Sequence, residues 1–213
     1  MTEPQRRRQP SQDRSREKCE TIIRAARDLI GERGNDAVSM REIARQAGVP
    51  ISSIYQYFPD KKAILAAIME GYFEQIRGLI RTFADTSSDI DSLIAQTHRG
   101  LDGLYQLFRG DPALATLWAG LQANPDLREL DAEDSRRNAA ILAGKITGLF
   151  PKADPDEVYD SMLLLSHGLG MTVRIALSLE EPEGQRLFNE FKRIVSLRLQ
   201  SFAGSEPASV NEA

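Results

Sequence analysis

Ser52, Ser53 and Gln56 bring two hydroxyls and a carboxamide into one short segment, "GVPISSIYQYFPDKKAIL" (residues 48–65), with Tyr55 and Tyr57 beside them. These groups donate and accept hydrogen bonds, so the chemistry they suggest is recognition. On a helix advancing about 100° per residue, with Ile54 at 0°, Phe58 falls near 40° and Ile51 near 60°. Ser52, Gln56 and Ser53 fall near 160°, 200° and 260°, and the two tyrosines flank them on opposite sides. One face is therefore a support and the other is offered outward. Small serines let a helix backbone approach a surface closely, and a glutamine amide pairs bidentately with adenine. Tyrosine hydroxyls at the margins suit phosphates, which fix register while base edges specify sequence. Lys61 and Lys62 follow at a helix start, where free N–H groups attract anions although the dipole disfavours cations.

Other reactive residue types are poorly placed for catalysis. His98 and His167 lack metal-ligand spacing, and Cys19 has no nearby histidine. There is no phosphate-binding loop and no nucleophile elbow. The sequence therefore predicts no enzyme, no metal and no cofactor. Cys19 is expected to be a buried structural thiol. "RELDAEDSRRN" (residues 128–138), including the Glu133–Asp134 pair, reads as a solvated helix face.

The elements that must hold the outward face are helices, and the predicted fold is all-α. Residues 1–15, with Arg6, Arg7 and Arg8 and two prolines, read as a disordered basic arm. A first helix is predicted from Arg16 to Arg33, capped by Gly34. "SMRE" sets Ser39 three residues before Glu42, a capping box opening a second helix that ends at Gly48. The third helix is the opening segment, limited at Phe58 by Pro59. Two short helices around a glycine turn suggest helix-turn-helix. A long fourth helix starts near Asp60 and is broken by "DTSSD" at residues 85–89. Further helices fit residues 90–108, 112–121, 126–150, 156–178 and 183–202, with turn formers between them. Residues 16–62 form the expected N-terminal domain, 63–203 a helical C-terminal domain, and 204–213 a flexible tail.

Charge divides the same way. Residues 1–62 hold 13 basic and 9 acidic side chains, while the remainder holds 14 basic and 22 acidic, within a chain of net charge −4. A basic end joined to an acidic body implies that one end meets a polyanion. With 41% apolar and 27% charged residues, one cysteine and no apolar leader, the expected setting is the cytoplasm. The most apolar stretch, residues 162–179, contains His167 and Arg174, so a buried soluble helix is expected there and no membrane partner.

With these residues in view, "TIIRAARDLIGERGNDAVSMREIARQAGVPISSIYQYFPDKKAIL" resembles the DNA-binding region of the TetR (tetracycline repressor) family of transcriptional regulators. The resemblance covers roughly residues 18–65 and rests on "S-x-R-E-I-A-x-x-A-G-V" and "I-Y-x-Y-F-x-x-K". Pro50 departs from it, standing where the family often has a Ser or Thr cap. The resemblance implies that Arg41 reaches the DNA from the second helix and that Ser39 and Met40 lie in a backbone-contacting turn. Ile51, Ser52, Ser53, Gln56 and Tyr57 would then face the groove, and Tyr55 and Lys61 would grip phosphates. Ile51 stays open, because its helical angle points inward. The implied protein is a ligand-responsive homodimeric regulator of double-stranded operator DNA, most often a repressor. The alternative is a helical ligand-binding or protein-interaction module without DNA binding.

The resemblance also implies that the C-terminal domain binds a small-molecule effector and dimerises. The 156–178 helix is apolar nearly all round and needs covering on both sides. Ser166 and Gly170 would allow a partner helix close, and Leu187, Phe191, Ile194 and Val195 form the stripe that would complete a four-helix interface. Polar and aromatic residues inside apolar helices are the pocket candidates: Tyr72, Phe73, His98, Tyr105, Phe108, Trp118, Gln122, Met162, His167, Met171 and Arg174. His167 and Arg174 would hold either an anionic ligand or a partner carboxylate across the dimer.

Overall fold

The computed structural model describes residues 10–120 and 124–204. Gln122, residues 1–9 of the expected arm and residues 205–213 of the expected tail lie outside that range. The described residues form helices α1 (Pro10–Arg33), α2 (Met40–Ala47), α3 (Ile51–Tyr57), α4 (Lys61–Thr86), α5 (Ile90–Gly110), α6 (Pro112–Gly120), α7 (Pro125–Leu149), α8 (Pro155–Ser178) and α9 (Glu181–Ala203). They fall into two compact units that divide between Glu70 and Gly71, inside α4 rather than at its start.

In the N-terminal unit, α1 begins at Pro10, six residues before the expected Arg16. The polar run after Pro10 is helical rather than the expected disordered arm, and proline suits its start because the first N–H groups have no intrahelical partner. Gly34 ends α1 at φ 80° and donates its N–H to the Ile30 carbonyl at 2.8 Å. The expected capping box is present. Ser39 Oγ accepts from the Glu42 N–H at 3.3 Å, and Glu42 Oε2 accepts from the Ser39 N–H at 2.9 Å. Gly48 closes α2 at φ 66°, a left-handed conformation that favours glycine. Pro50 stands just outside α3 at the cap position, with no side chain bonded to the helix end. Its carbonyl accepts the Ser53 N–H at 2.9 Å. Phe58 is the C-cap, where Pro59 requires it. Ile22, Ala26, Ile30, Ile43, Ile54 and Ile64 are buried at the centre of this unit. Cys19 is only half-buried, at the edge of the α1 stripe.

In the C-terminal unit, α8 packs on α7 and α9, and α5 packs on α9. The α5–α9 pairing is antiparallel and in register. His98 Nε2 lies 2.7 Å from Ser196 Oγ, and Lys192 Nζ donates to Asp102 at 2.7 Å. Tyr105 stacks on Phe188 with centroids 4.5 Å apart, and Arg109 pairs with Glu181. Each turn up α5 thus meets a turn further down α9. On α8, Arg198 of α9 reaches Glu157 at 2.7 Å and Ser161 at 2.9 Å. Asp154 caps α8 ahead of Pro155 by accepting from the Asp156 N–H at 2.9 Å.

Three expectations for this unit change. First, the 128–138 run is a solvated face only on one side: Arg128, Glu129, Glu133, Arg136 and Arg137 are exposed, but Asp134, Ser135 and Asn138 are buried. Its polar residues repeat at helical spacing on the inward side of α7, which a count of charges conceals. Second, Phe191 and Val195 are buried in their own unit and are unavailable to a partner copy. Third, a Cβ on Gly170 would come within 2.8 Å of Trp118 Nε1, so this glycine makes room for an indole of its own chain. By length and composition α8 is apolar enough to cross a bilayer. Its exposed Leu164, Met171 and Ile175, with Leu187, Ile194 and Leu197 of α9, leave a set of large apolar side chains uncovered.

Candidate functional site

The N-terminal unit offers an outward polar face. Ile54 is fully buried and Phe58 is 8% exposed, so α3 is anchored on that side. Ser52 and Gln56 are exposed, Ser53 and Tyr57 are half-buried, and Tyr55 is 54% exposed. Ile51 is half-buried, between the inward angle and the groove position. Arg41 is exposed on α2, and Met40 is half-buried.

Lys61 and Ser39 have partners within the chain. Lys61 Nζ donates to the carbonyls of Asn35 and Val38, at 2.8 and 3.0 Å. These carbonyls belong to the α1–α2 turn, so the lysine ties that turn to the start of α4. An ammonium has three donors, and only two of them have partners among the described residues. Ser39 Oγ, besides capping α2, donates to Glu42 Oε2 at 2.8 Å. That bond, then the Ser39 N–H, holds the Glu42 carboxyl below its ordinary value, with Arg33 and Arg45 assisting. The Cys19 thiol is pushed up by burial and by Glu20, which disfavours a reactive thiolate.

The C-terminal unit encloses a cavity of about 580 Å³. That size suits a small organic molecule. Ile76, Leu79, Ile80, Phe83 and Ala84 of α4 form one wall, and Leu93, Leu101, Leu104 and Phe108 of α5 form another. Trp118, Met162, His167, Met171 and Arg174 also line it, together with Phe191 and Val195. Trp118 meets Phe108 edge-on with centroids 5.0 Å apart, and Phe73 at 5.6 Å. Phe73 therefore supports the indole from behind. Tyr72, His98 and Tyr105 are also absent from the lining. They are engaged instead with Asp111, Ser196 and Phe188.

The sequence reading missed the polar wall on α7. Asp131, Asp134, Ser135 and Asn138 all line the cavity. Asp134 pairs with the buried Arg77 of α4 and accepts from Asn138 Nδ2 at 2.8 Å. Glu74 holds the same guanidinium from outside at 2.7 Å. Burial pushes the Asp134 carboxyl up, against the pull of Arg77 and Asn138. Burial also raises Asp131, opposed by the charge of His167. The available signal was spacing: 131, 135, 138 and 142 share one side of a helix.

A helix-turn-helix with an exposed polar recognition face, joined to a helical unit enclosing a cavity, defines a DNA-binding transcriptional regulator. Residues 22–68 match the family described as "Bacterial regulatory proteins, tetR family", and residues 91–203 match "Tetracyclin repressor-like, C-terminal domain". The chain belongs to the TetR family of transcriptional regulators. It is 28% identical over 202 residues to the HTH-type transcriptional regulator BetI of Cronobacter sakazakii, covering 90% of this chain and 94% of that one. Its fold is shared with a TetR-family regulator from Streptomyces coelicolor, at TM-score 0.63 and 22% identity over 88% of this chain and 98% of that one. It is shared also with RolR in complex with resorcinol, at TM-score 0.59 and 22% identity over 94% of this chain and all of that one, its share being 100%. These relatives are regulators rather than enzymes.

Proposed function

We propose that the protein is a cytoplasmic repressor that binds a palindromic operator as a homodimer and is released by a small-molecule effector held in the C-terminal cavity. The observation that carries this reading is the exposure of Ser52 and Gln56 on a helix anchored by buried Ile54 and Phe58. In this reading α3 lies in the major groove. Ser52, Ser53 and Gln56 meet base edges, with Ile51 beside them. Arg41 and Tyr57 extend the contact, while Ser39, Met40, Tyr55 and Lys61 hold the backbone.

The effector reading draws on the cavity and on RolR, which is described in complex with resorcinol. Helix α4 begins at Lys61 and also carries the cavity wall from Ile76 to Ala84. An effector that favours one setting of α4 would alter the spacing of two recognition helices. Operator affinity would fall by the difference in its affinity for the two states. The two-fold interface is assigned to the uncovered apolar side chains of α8 and α9.

Selection of bound fragments from random duplex DNA with the purified full chain tests the reading. Enrichment of a palindrome with half-sites about one helical turn apart, or a multiple of it, is expected. Recovery of no sequence, with no binding even at low salt, would leave a ligand-binding module without DNA.

A further inference from the structure

The α7 wall of the cavity holds acceptors that the described residues do not satisfy. Asn138 is 7% exposed, and its Nδ2 donates to Asp134 Oδ2. That bond fixes the orientation of the amide, because exchanging its ends would set a carbonyl oxygen against a carboxylate. Asn138 Oδ1 is consequently buried, with no donor among the described residues. A buried acceptor without a donor is costly, and native proteins rarely tolerate one without a reason. Two turns earlier, Asp131 lines the same cavity, half-buried. It makes no hydrogen bond or ion pair with the described residues; the charge acting on it is that of His167. Ser135 lies between the two and is buried. The remaining walls are mostly aliphatic and aromatic.

We propose that the effector is an organic cation with an apolar or aromatic body, an ammonium held by Asp131 and a second hydrogen-bond donor held by Asn138 Oδ1. This rests on reading the cavity as the effector site. Seven residues of helix separate the two acceptors by about 10 Å along the axis, so the two donor groups belong at opposite ends of the ligand. Trp118 and Phe108 offer faces and edges to the body between them. An anion is the weaker fit. His167 and Arg174 line the α8 side of the cavity, but an anion reaching the α7 wall would meet the Asp131 carboxylate and the buried Asn138 carbonyl.

Four small probes of nearly one shape separate the parts: tyramine with both donors, phenethylamine with the ammonium alone, tyrosol with hydroxyls and no charge, and 3-(4-hydroxyphenyl)propionate with a negative charge. Calorimetric titration of the full chain is expected to rank tyramine tightest and the carboxylate weakest. Loss of the phenol should weaken binding by up to roughly tenfold, the scale of a neutral hydrogen bond, and loss of the ammonium by roughly tenfold or more, the scale of a charge-assisted one. Asp131→Asn should bring tyramine to the level of tyrosol with little change in melting temperature, since Asp131 makes no ion pair with the described residues. Asn138→Ala should remove the advantage of tyramine over phenethylamine. Its unfolding is followed in parallel, because it also removes the amide bond to Asp134, which keeps Arg77. Tightest binding of the carboxylate overturns the proposal. So does equal loss of tyramine and tyrosol in Asp131→Asn, or failure of all four probes at millimolar concentration. Operator binding is measured separately: a protein that selects an operator and ignores the amines keeps its regulator reading and loses this one, and the converse result does the reverse.

Discussion

Lys61 reaches back 23 residues to donate to the Val38 carbonyl at 3.0 Å, and it shares its ammonium with Asn35. A side chain that the resemblance assigns to a phosphate is thus also a brace for the turn that presents Ser39, Met40 and Arg41. The two roles are compatible, since one N–H of the ammonium has no partner among the described residues. They have different signatures on substitution.

Lys61→Ala should lower the stability of the N-terminal unit by about 1 kcal/mol, a charge-assisted bond discounted for partial exposure. It should weaken all DNA sequences alike and reduce the salt slope of binding by about one. Gln56→Ala should leave stability within about 0.5 kcal/mol, as exposed positions do, and relax preference at one base pair. Denaturation and binding to a panel of operator variants read both effects. Equal effects of the two substitutions on every variant would refute this separation of positioning from specificity.

The cap at Ser39 makes a pH prediction with a definite sign. The Glu42 carboxyl is held low in the folded protein, chiefly by the Ser39 hydroxyl and then by its N–H. A depressed folded value means that this contribution is fully present above the unfolded value, about 4.3, and is lost as pH falls through the folded value. Ser39→Ala should cost about 1 kcal/mol at neutral pH. It should also flatten the dependence of the urea midpoint on pH in the acid range. An unchanged acid slope would mean that Glu42 is held by its arginine neighbours instead.

Much of the N-terminal unit was legible because its punctuation is local. Gly34, Ser39 with Glu42, Gly48 and Phe58 before Pro59 each act within a turn or two of their own position. The inward placement of Ile54 and Phe58 followed from helical angle alone. Lys61 was read only in part, because its carbonyl partners lie 23 and 26 residues earlier in the chain. In the C-terminal unit the helices were legible but their neighbours were not. A stripe such as Leu187–Phe191–Val195 shows which side is apolar. It does not show whether a cavity or a second copy lies against that side. The polar wall of α7 was missed because Asp134 is stabilised by Arg77, 57 residues away, and no local pattern announces such a pair.

Gly184 shows how tightly α8 and α9 approach. It is buried in the first turn of α9, and a Cβ there would run into the Ala176 carbonyl. A backbone atom cannot step aside as a flexible side chain can. Gly184→Ala is therefore expected to destabilise the C-terminal unit by roughly 1–3 kcal/mol, the usual cost of forced overpacking, in spite of the higher helix propensity of alanine. Gly144→Ala, on α7 with nothing within 4 Å of its Cβ, is the control and should be neutral or slightly stabilising. Chemical denaturation of both variants checks the contrast. A Gly184→Ala protein as stable as its parent would show that the two helices part at little cost.

The uncovered apolar side chains of α8 and α9 carry the prediction about assembly. Leu164 is 72% exposed, Leu197 58% and Ile194 49%, and their neighbours Met171 and Ile175 are exposed too. Apolar patches of this kind on a single chain mark places where another surface belongs. Because Leu164 and Ile194 are exposed, replacing them should spare the fold, unlike changes at buried Phe191 and Val195. Leu164→Glu and Ile194→Glu, singly and together, should shift sedimentation from dimer to monomer and leave the helical circular dichroism signal and melting cooperativity intact. Affinity for a full palindrome should then fall toward that for a half-site, since each monomer loses the benefit of its linked partner. Persistence of the dimer in the double variant would place the two-fold contact on another face of the C-terminal unit. The apolar set on α8 and α9 would then need a different occupant.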